Sequence, residues 1–301
     1  MAQRSDNPAD PFKKALAEAT RTLADDPVLE EIVNHPNWTR ALSVAIDRNE
    51  INESLFFGQA RMGQMAPFPN SSYFKESYGT AWAQYDPDTA KQMLDAIGMA
   101  DTDGDGMREL PNGDKLVLNL QFATQGAPGE LAQLVAQNWT DVGVQTTVKE
   151  VTPDEDRSAQ SANQLDVMIW RKGQPLALHL GDNTYFVPPF DGYFDIRTGM
   201  LWAEYIDSEG ASGVEPPAWV AEMRADIDAF QGEEPGSDRQ NELGLKLAQK
   251  MVDEMLFIGT VRSPSPTYHR NALKNVTQFT TTSYEYYRTF PYMPAQWWLD
   301  E

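Results

Sequence analysis

Between Lys115 and Trp170 the chain alternates strand and helix signals, and this alternation limits the possible folds more than any other stretch. Leu116, Leu118, Leu120 and Phe122 recur at every second residue, as in a strand with one buried face. Pro128 and Gly129 then open a helix with Leu131, Leu134, Val135, Asn138 and Val142 at three- and four-residue spacing. Gly143 closes it, because glycine takes a left-handed backbone without a Cβ clash. Val144 to Val151, rich in Val and Thr, reads as a second strand, Asp154 to Asn163 as a polar helix, and Leu165 to Trp170 as a third strand. Strands separated by helices pair in parallel through right-handed crossovers, which predicts an α/β chain with a mixed, mostly parallel sheet flanked by helices. In such sheets ligands sit beyond the carboxyl ends of the strands. Thr124 and Gln125 lie at one of these ends, and Trp170 and Arg171 at another.

Composition excludes several functions. The net charge is -21, from 45 acidic and 24 basic residues, so nucleic acid and anionic lipid are repelled. The absence of Cys excludes disulfides and thiolate metal sites, and the three histidines (His35, His179 and His269) are too widely spaced to form a visible cluster. No apolar run suits a signal peptide or a membrane span. Neither a Gly-x-Ser-x-Gly elbow nor a phosphate-cradling glycine loop occurs. A hydrolase built on paired carboxylates stays open as an alternative, although abundant acidic residues say nothing about geometry.

Upstream of the sheet, Asp10 to Val33 reads as a helical arm. Tandem helices follow across Trp38 to Gly58, with Asp47 and Glu50 spaced as a capping box. Asp86-Pro87 starts another helix that ends at Gly98. Between these helices, Phe68, Tyr73, Phe74, Tyr78 and Trp82 mark a loop held to the body by its rings. Asp101, Asp103 and Asp105 then alternate up to Gly106 and Met107, matching the first half of a calcium loop, although Asn112 stands where such a loop carries its bidentate Glu. Two readings remain open: a calcium site on Asp101, Asp103, Asp105 and the Met107 backbone, or a turn held by its own side chains.

After the sheet, Gln174 to Gly213 reads as a long irregular segment carrying His179, Tyr185, Phe186, Trp202 and Tyr205. Aromatic faces with a few polar groups suit a neutral or weakly charged ligand. Trp170 or Tyr185 would stack on a sugar ring or peptide plane, and Arg171 would meet a carboxylate or hydroxyl. Helices start at Pro217 and Ser237, Leu256 to Arg262 reads as a strand, and Asn271 to Glu301 forms an aromatic tail that needs a cover.

Three pieces in order carry a family resemblance: Ala41 to Ile51 with Phe57-Gly58, then Tyr85-Asp86-Pro87 through Gly106 to Gly113, then Asn138-Trp139 to Val144. Together they resemble the family 5 extracellular solute-binding proteins of ABC importers, the oligopeptide, dipeptide and nickel receptors. The likeness continues through Leu165 to Trp170, Gly213 to Pro217, Ile258 to Val261 and Asn271 to Val276.

The resemblance is to the second lobe of the family and implies a periplasmic-binding-protein lobe of type II. It divides the chain into an arm over residues 1–36, the lobe over 37–270 and a tail over 271–301 that would return to a first lobe absent here. It implies a periplasmic or extracellular, membrane-associated receptor without enzymatic activity. Such a receptor closes on a peptide-like solute and hands it to an ABC permease. Arg171-Lys172 after the third strand departs from the acidic segment that peptide receptors of the family often carry there, and the Glu215-Pro216-Pro217 stretch with the aromatic features resembles a branch that includes oligosaccharide binders, so that solute is the alternative. A lobe without its partner is expected to bind weakly and to dimerise through its tail.

Overall fold

The computed structural model describes residues 27–67, 71–124, 126–162, 164–169, 199–263, 268–276 and 293–300. Three parallel strands form the central sheet: β2 (Leu118–Phe122) lies between β3 (Thr146–Glu150) and β4 (Val167–Ile169). Leu118 pairs with Thr146 and Phe122 with Glu150 on one side, and Leu120 pairs with Val167 and Phe122 with Ile169 on the other. The expected parallel α/β arrangement is therefore present. The first of these strands in the chain is central, so the β2–β3 connection runs to one side and the β3–β4 connection runs back past it to the other, a reversal that makes the carboxyl end of β2 the switch point of the sheet.

Helix α6 (Gly129–Asp141) connects β2 to β3 and lies on the apolar face of the sheet. Leu118, Leu120 and Phe122 meet Leu131, Ala132, Val135 and Trp139 there, all buried. A Cβ on Gly129 would stand 3.1 Å from the Phe122 ring, so the first turn of the helix sits directly on the strand. The other face is polar at its amino end: Asn119 donates through N and Nδ2 to Asp166 Oδ2 at 3.0 and 2.7 Å, and Thr147 Oγ1 donates to Asn119 Oδ1. Helix α7 (Pro153–Ser161) connects β3 to β4 and opens with a capping box between Thr152 and Glu155.

The same core takes in the upstream helices α1 (Pro27–Asn34), α2 (Pro36–Val44), α3 (Arg48–Phe56) and α5 (Pro87–Ala96). Ala41 of α2 and Ala90 of α5 have no exposed surface, which lets the two helices approach closely. The Asp47 carboxylate caps α3 by accepting from Glu50 N at 2.9 Å. The Asp47 backbone N–H donates to Asn138 Oδ1 of α6 at 2.9 Å, so a residue on a distant helix takes the place expected for Glu50.

A second core joins α4 (Glu76–Thr80) to the hairpin of α9 (Ala218–Gly232) and α10 (Asp238–Asp253), through Tyr73, Tyr78, Met223, Ile227, Phe230, Leu243, Leu247, Ala248 and Met251. The expectation that rings hold the 67–85 loop is met by Tyr73, Tyr78 and Trp82, while Phe68 lies outside the described residues. A Cβ on Gly244 would fall 2.5 Å from the Tyr73 ring.

The cores meet at a short antiparallel ribbon of β1 (Arg61–Met62) and β5 (Val261–Arg262). Here the fold differs from the sequence reading. Only Val261–Arg262 pairs as a strand, because Leu256 and Phe257 are taken up by the second core. Part of the expected irregular segment is helix α8 (Met200–Asp207), with Trp202 edge-on to Trp219 at 5.8 Å. Within the tail, β6 (Leu273–Lys274) pairs antiparallel with β7 (Trp298–Leu299).

Two helix starts carry an acid dependence. Thr89 N and Oγ1 donate to the Asp86 carboxylate, and Thr152 N and Oγ1 donate to that of Glu155. The backbone bond first, and the hydroxyl second, hold both carboxyls below the usual carboxylate range. A carboxyl with a lower pKa folded than unfolded contributes stability that is fully present above about pH 4 and is lost as pH falls through the folded value. Asp86→Asn keeps the cap without the titration, so its thermal midpoint is expected to fall less than the wild type's between pH 5 and pH 3.

Candidate functional site

Past the carboxyl ends of the strands, Val151 N donates to Phe122 O at 3.0 Å, which carries the β2–β3 pairing one step beyond the sheet. The chain then turns tightly on small residues, with Gly126 N and Ala127 N both donating to Ala123 O. Ala123 and Ala127 are buried, and Thr124 is exposed at the rim. Thr124 Oγ1 donates in a short hydrogen bond to Glu150 Oε1, at the end of β3. The α7 capping box stands on the same edge.

Of the residues expected to meet a ligand, Thr124 therefore lies at the switch point. Gln125, Trp170, Arg171, His179, Tyr185 and Phe186 lie outside the described residues. Glu150 was not anticipated. Its signal was available, because a carboxylate at the last position of a Val/Thr strand reaches the sheet's carboxyl edge by register alone.

At the opposite, amino end of β2 lies the acidic loop. Asp101 accepts from Gly104 N at 2.7 Å and Gly106 N at 3.0 Å. Asp103 accepts from Asp105 N at 3.1 Å, and Asp105 from Met107 N at 2.8 Å. Lys115 Nζ lies 2.8 Å from Asp103 Oδ2 and 2.6 Å from Asp105 Oδ2. Its ammonium, with the Met107 N–H, holds the Asp105 carboxyl below the ordinary range, and the two carboxylates in turn raise the Lys115 pKa. Of the four residues expected to bind a cation, Asp101 and Asp103 come together with Glu109, with oxygens within 4.8 Å of one another. Asp105 is engaged by Lys115, and Met107 meets the loop through its backbone N–H, which donates to Asp105. Glu109, at the ninth position of the loop, is the residue the sequence reading left out.

A model of the family described as "Bacterial extracellular solute-binding proteins, family 5 Middle" matches residues 11–188, more than half of the chain. The chain belongs to family 5 of the bacterial extracellular solute-binding proteins. Among family 5 structures, it resembles the oligopeptide-binding protein OppA with a TM-score of 0.75 and 25% identity, over 94% of this chain and 46% of that one. It also resembles the oligopeptide-binding protein AppA from Bacillus subtilis, solved with a nonapeptide, with a TM-score of 0.60 and 17% identity over 90% and 49%. In sequence it is 22% identical to the periplasmic alpha-galactoside-binding protein of Rhizobium meliloti (strain 1021) over 151 residues, 48% of this chain and 21% of that protein. The chain thus spans about half, or less, of the length of these relatives. No helix among the described residues is long and apolar enough to cross a membrane.

Proposed function

We propose that the chain supplies one lobe of a periplasmic receptor that closes on a solute and delivers it to an ABC permease, without chemistry of its own. Family membership carries this reading, and the exposed carboxyl edge at Thr124 and Glu150 is consistent with it. Gln125, Trp170, Arg171, His179, Tyr185 and Phe186 are assigned to the solute on their sequence positions and side-chain chemistry, the rings for stacking and Arg171 for a carboxylate or hydroxyl. A peptide-like solute is the main reading, supported by the extent of the likeness to OppA. An oligosaccharide is the second, favoured by the alpha-galactoside-binding relative and by the basic Arg171-Lys172, which suits a peptide's amine poorly.

Saturation-transfer NMR, which registers millimolar affinities, tests this with short peptides and with α-galactosides. Signal from one panel, with the solute recovered intact and the signal reduced in Thr124→Ala and Trp170→Ala, is expected. Turnover of the solute, or silence from both panels, would overturn the reading.

The tail is assigned to a partner surface. Trp298 and Leu299 on the β6–β7 ribbon are 54% and 55% exposed, more apolar surface than a short ribbon leaves open without a cover. In a two-lobed receptor this surface meets the other lobe, and in a preparation of this chain alone it meets a second copy. Sedimentation velocity is expected to show mass rising with concentration, and Trp298→Ser with Leu299→Ser to abolish the rise.

A further inference from the structure

The acidic loop between α5 and β2 holds an observation that a self-contained turn leaves unexplained. Glu109 is 3% exposed. Its Oε2 accepts from Thr102 N at 2.7 Å and from Thr102 Oγ1 at 2.6 Å. Its Oε1 is buried and accepts no hydrogen bond from the described residues. A buried carboxylate oxygen without a donor is costly, and native proteins supply such an atom with a partner. The carboxylate to which it belongs completes the cluster with Asp101 and Asp103. The backbone holds it firmly, since Glu109 bridges antiparallel to Ala100 on one side and to Lys115 on the other.

We propose that Asp101, Asp103 and Glu109 form a calcium site, with Glu109 as its fixed inner ligand and the two aspartates closing over it from the solvent side. The ligands are hard anionic oxygens, with no His or Cys among them, which excludes the usual zinc and copper chemistry. Two exposed aspartates on a glycine-rich turn give a set of uneven, adjustable reach, as Ca²⁺ accepts, whereas Mg²⁺ demands near-ideal octahedral geometry and holds its water. Lys115 is the competitor. Its ammonium already sits on Asp103 Oδ2, so calcium must displace it from that oxygen. This gives the site an internal cation that keeps the loop folded when calcium is scarce. Its place at the amino end of β2 puts it on the edge away from Thr124, so it braces the strand and does not touch solute.

The test is calorimetric titration of CaCl2 into the full chain after chelator treatment, with thermal unfolding in CaCl2, in MgCl2 and in NaCl of equal ionic strength. A single site with a dissociation constant on the order of 10⁻⁴ to 10⁻³ M is expected, as for extracellular modules, with a thermal midpoint raised by calcium more than by magnesium or sodium. Glu109→Gln keeps an acceptor for Thr102 and is expected to weaken binding by at least about tenfold, the loss of one charged ligand. Lys115→Gln is expected to tighten binding several-fold, whereas a purely structural ion pair would destabilise the loop and leave calcium without effect. No heat and no shift at 10 mM CaCl2 would overturn the proposal. So would an equal shift in wild type and Glu109→Gln, which would mark general screening of a chain of net charge -21.

Discussion

Replacing Arg48 by methionine is expected to lower folding stability by about 3 kcal/mol, read as a lower midpoint of urea unfolding at unchanged slope. Arg48 is 2% exposed and sits where the two cores meet. Its Nε donates to Gly259 O at 2.9 Å, and Nη1 donates to Ser43 O at 2.9 Å and Ala83 O at 3.2 Å. Its Nη2 donates to Ser43 Oγ, which also accepts from Gln64 Nε2, and Gln64 Oε1 accepts from Gly259 N. Methionine fills the aliphatic volume but supplies no donor. The Ser43 carbonyl keeps a bond from Ile46 N, so the loss falls mainly on the carbonyls of Gly259 and Ala83. An unsatisfied buried group costs roughly 1–3 kcal/mol, and removing a desolvated charge returns part of that sum. Burial lowers the guanidinium pKa to about 10, which leaves it charged at neutral pH. Arg48→Lys keeps the charge but loses the planar fork, so it should recover only a fraction of the difference. A midpoint for Arg48→Met equal to wild type would show that water replaces the guanidinium without penalty.

Trp139→Ala is expected to cost more, about 3–5 kcal/mol, the usual range for deleting a large buried ring. The ring is 3% exposed within the first core, and its Nε1 donates to Leu42 O at 2.9 Å, tying α6 to α2. Trp139→Phe keeps most of the packing and loses the bond, so about 1–2 kcal/mol is expected. The difference between the two variants separates cavity from hydrogen bond. Equal losses would mean that the Leu42 carbonyl, rather than the ring's volume, is what α6 depends on.

The parts of this fold that follow short-range rules were legible in the sequence. Asp86-Pro87, Gly98 and Gly143 mark helix ends through local backbone chemistry, and the strand–helix alternation from Leu116 to Ile169 permits few topologies. The parts that depend on distant partners were not legible. Arg48 at a helix start resembles any solvated cation, and nothing near it in the chain points to Gly259, 211 residues away. The Asp47 box was half right because Asn138, 91 residues away, supplies the other acceptor. Leu256 and Phe257 have strand composition yet lie against the α9–α10 hairpin, since an apolar run fits either use. At the candidate site, the place of Thr124 at the carboxyl edge of the sheet and the Asp/Gly turn followed from the sequence. Glu109 escaped because the loop pattern draws attention to the alternating aspartates, while burial of one glutamate is a tertiary fact.

The β1–β5 ribbon has a further consequence for how the molecule is made. Arg61 pairs with Arg262, so a contact that closes the junction joins residues about two hundred positions apart. Closing so long a loop is entropically unfavourable and occurs late. During synthesis the amino-terminal helices and the sheet emerge well before Gly259, leaving the Arg48 guanidinium without one of its acceptors until most of this chain has left the ribosome. A nascent chain stalled short of that point would expose an unfinished seam and be an early target for chaperones and proteases.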